Sequence, residues 1–231
     1  MTGNSFDIKI KTEVVSFLKK MELFKENIYK PEDHYTDSVK EISRLKSSSH
    51  LQIYNEVMNT FSYDILLMDD SVFQFHKDGK DYRFCFIQNP RVKLSWKDFL
   101  QNLNVEEDNL SPAEFTMYRA CYDNNEDDSF TLVDYPVFIR YDVSETEYEE
   151  GIHPYAHIHI GLHNEMRIPV SKVLTPEMFT AFVVKMVYYQ LWKDKKDKTY
   201  LVEFYSSVKK GSEAVSLDFF SEVDKQDLYM I

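Results

Sequence analysis

The sequence predicts an α+β fold, an antiparallel sheet with N-terminal helices and a central buried C-terminal helix. Three observations predict it. Apolar residues recur at three- and four-residue spacing through the first sixty positions. The pattern then switches to period two across Ile65–Ile87, with Asp78-Gly79 between two aromatic-rich runs. Later, Pro176 to about Trp192 is apolar almost all round, as befits a helix covered on more than one side.

The elements follow in order. Val14, Phe17, Leu18, Met21 and Phe24 give residues 6–29 a helical stripe that Pro31 ends. A second helix is expected over 37–46, and a third from Ser49 carries Leu51, Ile53, Val57, Met58 and Phe61. Ile65–Met68 is a short apolar run, and Ser71–His76 alternates Val72, Gln74 and His76 against Phe73 and Phe75. Beyond the Asp78-Gly79 turn, Tyr82, Phe84 and Phe86 alternate with Arg83, Cys85 and Ile87, giving a hairpin with an aromatic inner face. Ser95 and Ser111 each precede an acid by three residues, which caps helices to Leu103 and through Tyr122. Asn124–Asp128 is an acidic loop without the glycine of a calcium loop. Strands are expected over Phe130–Val133, Val137–Val143, Tyr155–His163, Met166–Val170 and Thr199–Tyr205, with a weak helix at Ser216–Val223 and a docked terminus at Leu228–Ile231.

A chain of 231 residues suits one α+β domain, with a helical N-terminal subdomain over 1–62 as the alternative division. The formal charge of −12 disfavours non-specific binding to nucleic acid, and the Lys193–Lys196 and Lys209-Lys210 clusters are too small to reverse it. Cys85 and Cys121 lie in aromatic runs without metal-ligand spacing, as reduced core residues would. No start signal and no long apolar run is read, so a soluble cytoplasmic protein without a membrane partner is expected.

Four of the seven histidines fall between His153 and His163. Residues two apart on a strand share a face, so His157, His159, Gly161 and His163 lie on one side and Ile158, Ile160 and Leu162 on the other. Phe138, Arg140 and Asp142 share a face of the preceding strand, and Arg167 opens the next. Pairing of the strands would bring Arg140 and Asp142 to the histidine face. Three readings follow. Two or three imidazoles with Asp142 or a nearby glutamate suit zinc or manganese, although ligands from a single strand focus poorly on one ion. Without a cofactor, which is the reading preferred to a metal, one histidine could act as base and another as acid, with Arg140 or Arg167 stabilising a phosphoryl oxygen. The plainer reading is a strand face serving packing and partner contacts. No serine or cysteine nucleophile arrangement is found.

The runs His157-x-His159-x-Gly161, Arg167-Ile168-Pro169-Val170-Ser171, Leu174-Thr175-Pro176 and Phe179-x-x-Phe182, then Tyr188-Tyr189 and Trp192, resemble the C-terminal signature of an uncharacterised bacterial domain-of-unknown-function family. The resemblance spans about 137–192 and brings no activity. Arg140-Tyr141-Asp142 followed by His157-x-His159 also resembles small toxins of toxin–antitoxin loci, which implies nucleic-acid chemistry. The expected function is therefore an effector or accessory protein of a bacterial defence or toxin-type system. It would cleave RNA or another phosphate ester through His157, His159, His163, Arg140, Asp142 and Arg167. The alternative is a non-catalytic subunit whose acidic, aromatic-rich surface binds a protein partner.

Overall fold

The computed structural model describes Phe6 and residues 10–28, 37–124, 127–163, 166–195 and 199–226. The fold is α+β. The chain forms two compact units, Met1–Gln88 with Val137–Ile231, and Asn89–Pro136.

The larger unit holds a seven-stranded antiparallel sheet. Its strands are β1 (Phe24–Asn27), β2 (Ile65–Leu67), β3 (Val72–Asp78), β4 (Asp81–Ile87), β7 (Phe138–Val143), β8 (Ala156–Ile160) and β9 (Arg167–Pro169), in the order β1-β2-β3-β4-β7-β8-β9. β3 and β4 form the expected hairpin. Asp78 faces Asp81, and Gly79 takes a φ of +57° in the two-residue loop.

One face carries the aromatic half of the alternation: Phe73, Phe75, Phe84, Phe86, Ile139, Tyr141 and Ile158. It packs against helix α6 (Pro176–Val187), whose Phe179 ring lies 5.8–6.4 Å from those of Phe73, Phe75 and Phe84. Thr175 caps that helix and Pro176 starts it. Helix α1 (Val15–Lys20) joins the same core through Phe17 and Leu18. Helices α2 (Asp37–Arg44) and α3 (His50–Asn59) serve the opposite face, where Val39, Ile53, Tyr54 and Val57 cluster with Val72, Cys85, Ile87 and Phe138. Ser49 caps α3 in a reciprocal box with Gln52. Farther along β7 and β8 this second face turns ionisable.

The smaller unit pairs β5 (Arg91–Lys93) with β6 (Phe130–Leu132) and contains helices α4 (Trp96–Asn102) and α5 (Pro112–Asp123). Trp96 packs on Phe99, Phe115 and Tyr122, and Arg119 stacks over the Trp96 and Tyr122 rings. Ser95 and Ser111 cap these helices as their spacing predicts.

Several elements differ from expectation. Among the described residues of the 6–29 stripe, Phe6 is helical and Ile10–Val14 form a π-helical turn that leads into α1; Glu22 then takes a φ of +61° and the chain enters β1. Phe24 continues the helical spacing, but it reaches its core from the sheet, opposite Leu67. Thr199–Tyr205 is not a strand. It opens helix α8 (Thr199–Gly211), with Tyr200, Leu201, Phe204 and Tyr205 turned to the core while Val202 is exposed. Strand alternation would put Val202 and Phe204 on one face; helical spacing separates them. The long C-terminal helix breaks at Tyr188 into α6 and α7 (Tyr189–Lys195). Ser216–Val223 contains a short 3₁₀ turn at Leu217–Phe219, and a second follows at Asp224–Gln226. Cys85 is buried, but Cys121 is only half-buried, on a helix with no buried residue. Pro31 and Leu228–Ile231 lie outside the described residues, as does part of the acidic loop near 125. No described helix is long and apolar enough to cross a membrane.

Candidate functional site: a buried histidine–aspartate cluster

The site is built by strand register. β7 and β8 pair antiparallel, with Arg140 opposite His159 and Asp142 opposite His157. On the other side of β7, Arg83 of β4 stands opposite Asp142 and Cys85 opposite Arg140. β9 places Arg167 opposite His159. Directly opposed residues of antiparallel strands project to the same face, so these side chains share one surface.

Asp142 is the hub. Arg140 donates from Nε to both carboxylate oxygens at 2.7 and 2.9 Å, and from one terminal nitrogen at 2.5 Å. Arg83 Nε donates to Oδ1 at 3.2 Å. His159 Nε2 lies 3.3 Å and His157 Nε2 4.0 Å from Oδ2. The two Nε2 atoms face each other at 2.9 Å. Both imidazoles are buried, 1% and 2% exposed, whereas the Arg83 side chain is 48% exposed.

The outer ring nitrogens fix the tautomers. His157 Nδ1 lies 2.9 Å from the Pro154 carbonyl oxygen, and His159 Nδ1 lies 3.1 Å from that of Met166. A carbonyl only accepts, so each Nδ1 carries the proton and donates it. In the neutral rings both Nε2 atoms are then bare, and their lone pairs converge beside a carboxylate. Burial, aided by the neighbouring His159, pushes the His157 pKa down to about 4. For Asp142 burial acts to raise the pKa, but a hydrogen bond from His159 Nε2 when that nitrogen carries a proton, together with Arg140 and Arg83, outweighs it and holds the carboxyl well below the usual range.

The structure thus brings together His157, His159, Arg140 and Asp142, with Arg167 beside them on the edge strand, exposed and without an ion pair to Asp142 among the described residues. His163 is separate. β8 ends at Ile160, Gly161 turns at a φ of +87° and His163 itself at +69°, so the alternation that placed it with His157 and His159 no longer applies. The same turn sends Leu162 to the second core rather than to the Ile158 side, and leaves Ile160 exposed. Two participants went unread in the sequence. Arg83 already stood on the non-aromatic face of its strand, but nothing local named β7 as its neighbour. His153 packs its ring 4.9 Å from that of His157, and its Nε2 lies 3.8 Å from Glu147.

The family model described as "Uncharacterized conserved protein (DUF2290)" matches residues 19–228. No curated protein and no solved structure matches the chain. The match takes in nearly the whole chain, and the protein belongs to this family.

Proposed function

We propose that this protein is an effector or accessory protein of a bacterial defence or toxin-type system that acts on RNA or another phosphate ester at the histidine–aspartate cluster. The observation that carries the reading is the convergence of His157, His159 and Asp142 on a face that also presents Arg83, Arg140 and Arg167. In a chain of net charge −12, three arginines around two imidazoles make a local exception suited to an anionic ester. The 2.9 Å contact leaves no room for a phosphoryl group between the rings, so the imidazoles work as one unit. One bare Nε2 accepts a proton from a 2′-hydroxyl or water as that oxygen bonds to phosphorus, the imidazole pair returns the proton to the oxygen that departs, and the arginines offset charge on the phosphoryl oxygens. Both rings are buried, so substrate contact requires the groups that cover their Nε2 atoms to move aside. The biological setting rests only on the resemblance of the Arg140-Tyr141-Asp142 and His157-x-His159 order to small toxins.

A second reading has its own observation. Both imidazoles are buried and partnered, as in a polar network that fixes the register of β7, β8 and β9 in a non-catalytic subunit binding a protein partner. The experiment that separates the two compares wild type with the His157→Ala/His159→Ala double variant. It measures RNA cleavage and hydrolysis of a phosphodiester reporter in vitro, and toxicity or phage protection in cells, with folding checked by thermal melting. Loss of activity in a folded double variant supports the proposal. Unchanged activity there, or no activity in wild type, sinks it.

A further inference from the structure

We propose that Nε2 of His157, Nε2 of His159 and Oδ2 of Asp142 form a binding site for one divalent transition-metal ion of the kind that takes mixed nitrogen and oxygen ligands, zinc above all. The inference shares its residues with the activity proposed above but does not rest on it: an ion here takes both Nε2 lone pairs, so the base of that reading acts only in the metal-free chain.

Geometry carries it. The three atoms stand 2.9, 3.3 and 4.0 Å apart, and these ligand atoms are the only His, Cys, Asp or Glu group of three among the described residues that converges so closely. The circle through a triangle with those sides has a radius of about 2.0 Å, and its centre falls inside the triangle. Zinc bonds to imidazole nitrogen and carboxylate oxygen are about 2.0–2.2 Å long. A point therefore exists that is one bond length from all three donors, and an ion slightly above it leaves one side open to a further ligand.

The hydrogen bonding around the triangle agrees. A ligating imidazole presents a bare nitrogen to the metal and donates its other N–H to a carbonyl or carboxylate, which fixes the ring. His157 and His159 both do this, through the Pro154 and Met166 carbonyls. Without a cation, two bare nitrogens face each other at 2.9 Å in a buried place, a repulsive arrangement. A proton on His159 Nε2 would relieve that contact and also lie toward Oδ2, 3.3 Å away, but it would leave His157 Nε2 and Oδ2 unjoined. A metal ion relieves the contact and joins all three atoms.

The two strands answer the difficulty that ligands from one strand focus poorly. His157 and His159 come from β8, and the third ligand comes from β7 across the ladder. Arg83 and Arg140 Nε donate to the other oxygen, Oδ1, as outer partners of a metal ligand do, while the two Arg140 bonds to Oδ2 have to loosen as the ion takes that atom. An ion added to two guanidiniums and one carboxylate leaves a surplus of positive charge. An anion on the open position would offset it.

The full chain, stripped with a chelator and dialysed, is titrated with zinc chloride while heat of binding, metal content and melting temperature are followed. One zinc ion per chain is expected. At a hundredfold excess over Kd the melting temperature rises by roughly 5–10 °C. His159→Gln and Asp142→Asn each weaken zinc binding by at least about tenfold. Because a variant could lose its fold, wild-type imidazole nitrogen resonances provide the second measurement. Zinc must shift the Nε2 signals of His157 and His159 while both Nδ1 protons are retained. The proposal is overturned if wild type holds no more zinc than a folded His159→Gln variant, if zinc binds with those resonances unmoved, or if the resonances show a shared imidazolium proton and no metal effect. Zinc binding without hydrolysis would leave this site standing and remove only the catalytic reading. Hydrolysis at full rate in chelator, with no zinc taken up once the chelator is removed, would do the reverse.

Discussion

Replacing Asp142 with alanine should be among the most destabilising single changes at the cluster. The carboxylate side chain is 8% exposed and faces the Arg140 guanidinium, itself 18% exposed. Deleting it strands a largely desolvated cation, and breaking one half of such a pair costs about 3–5 kcal/mol. The Arg83 contact adds little, because that side chain is 48% exposed and water screens it. The lower half of the range, about 3–4 kcal/mol, is the expected loss. It is read by urea unfolding at pH 7.5 in chelator, in a Trp96→Phe background so that Trp192 alone reports on the larger unit. With m near 2–3 kcal/mol/M, the midpoint should fall by roughly 1–2 M at unchanged m. The double variant Asp142→Ala/Arg140→Met should recover part of that loss, since the stranded guanidinium is its source. A loss under about 1 kcal/mol, or a double variant weaker than the sum of the singles, would refute the account of Asp142 as hub.

Two further outcomes follow from the same structure. His157 has its folded pKa lowered to about 4 from an ordinary value near 6.5, so between those values the unfolded chain binds more protons. Its contribution is fully present above about pH 6.5 and is lost as pH falls towards 4, a loss of about 2–3 kcal/mol. Asp142, with its folded pKa depressed, adds a loss below about pH 3.8. Urea midpoints of metal-free protein at pH 7.5, 6 and 5 test this, and a His157→Asn variant with the same slope as wild type would contradict it. Phe179→Ala should cost about 3–5 kcal/mol, because the ring is fully buried against three phenylalanines of the sheet. A melting temperature within 3 °C of wild type would show that the site collapses around the missing ring.

Strand faces were legible in the sequence wherever an alternation was long and unbroken. Phe73 and Phe75 against Val72 and Gln74, and Phe84 and Phe86 against Arg83 and Cys85, point as their period requires. The caps at Ser95 and Ser111 were legible because a polar residue three places before its partner satisfies bare amides locally. Short stretches failed. Leu201 to Tyr205 fits a strand and a helix alike, and only the packing of Leu201, Phe204 and Tyr205 on the first core decides. His163 was misplaced because a single φ of +87° at Gly161 ends the period, and composition does not reveal such an angle.

What no local pattern contained was the ladder. Arg83, Asp142 and His157 lie far apart along the chain, and their meeting depends on β4, β7 and β8 being neighbours in one register. A slip of one residue in β7 would exchange Arg140 and Asp142 for Ile139 and Tyr141, and would put aromatic and aliphatic groups against the imidazoles. That register is held from the opposite face, where Tyr141 packs on Phe84 and its hydroxyl oxygen accepts from the Leu174 amide at the entry to α6. The apolar core therefore sets the alignment of the ionisable face. It does so locally, which is why an overall charge of −12 says so little about a patch where two arginines flank one carboxylate.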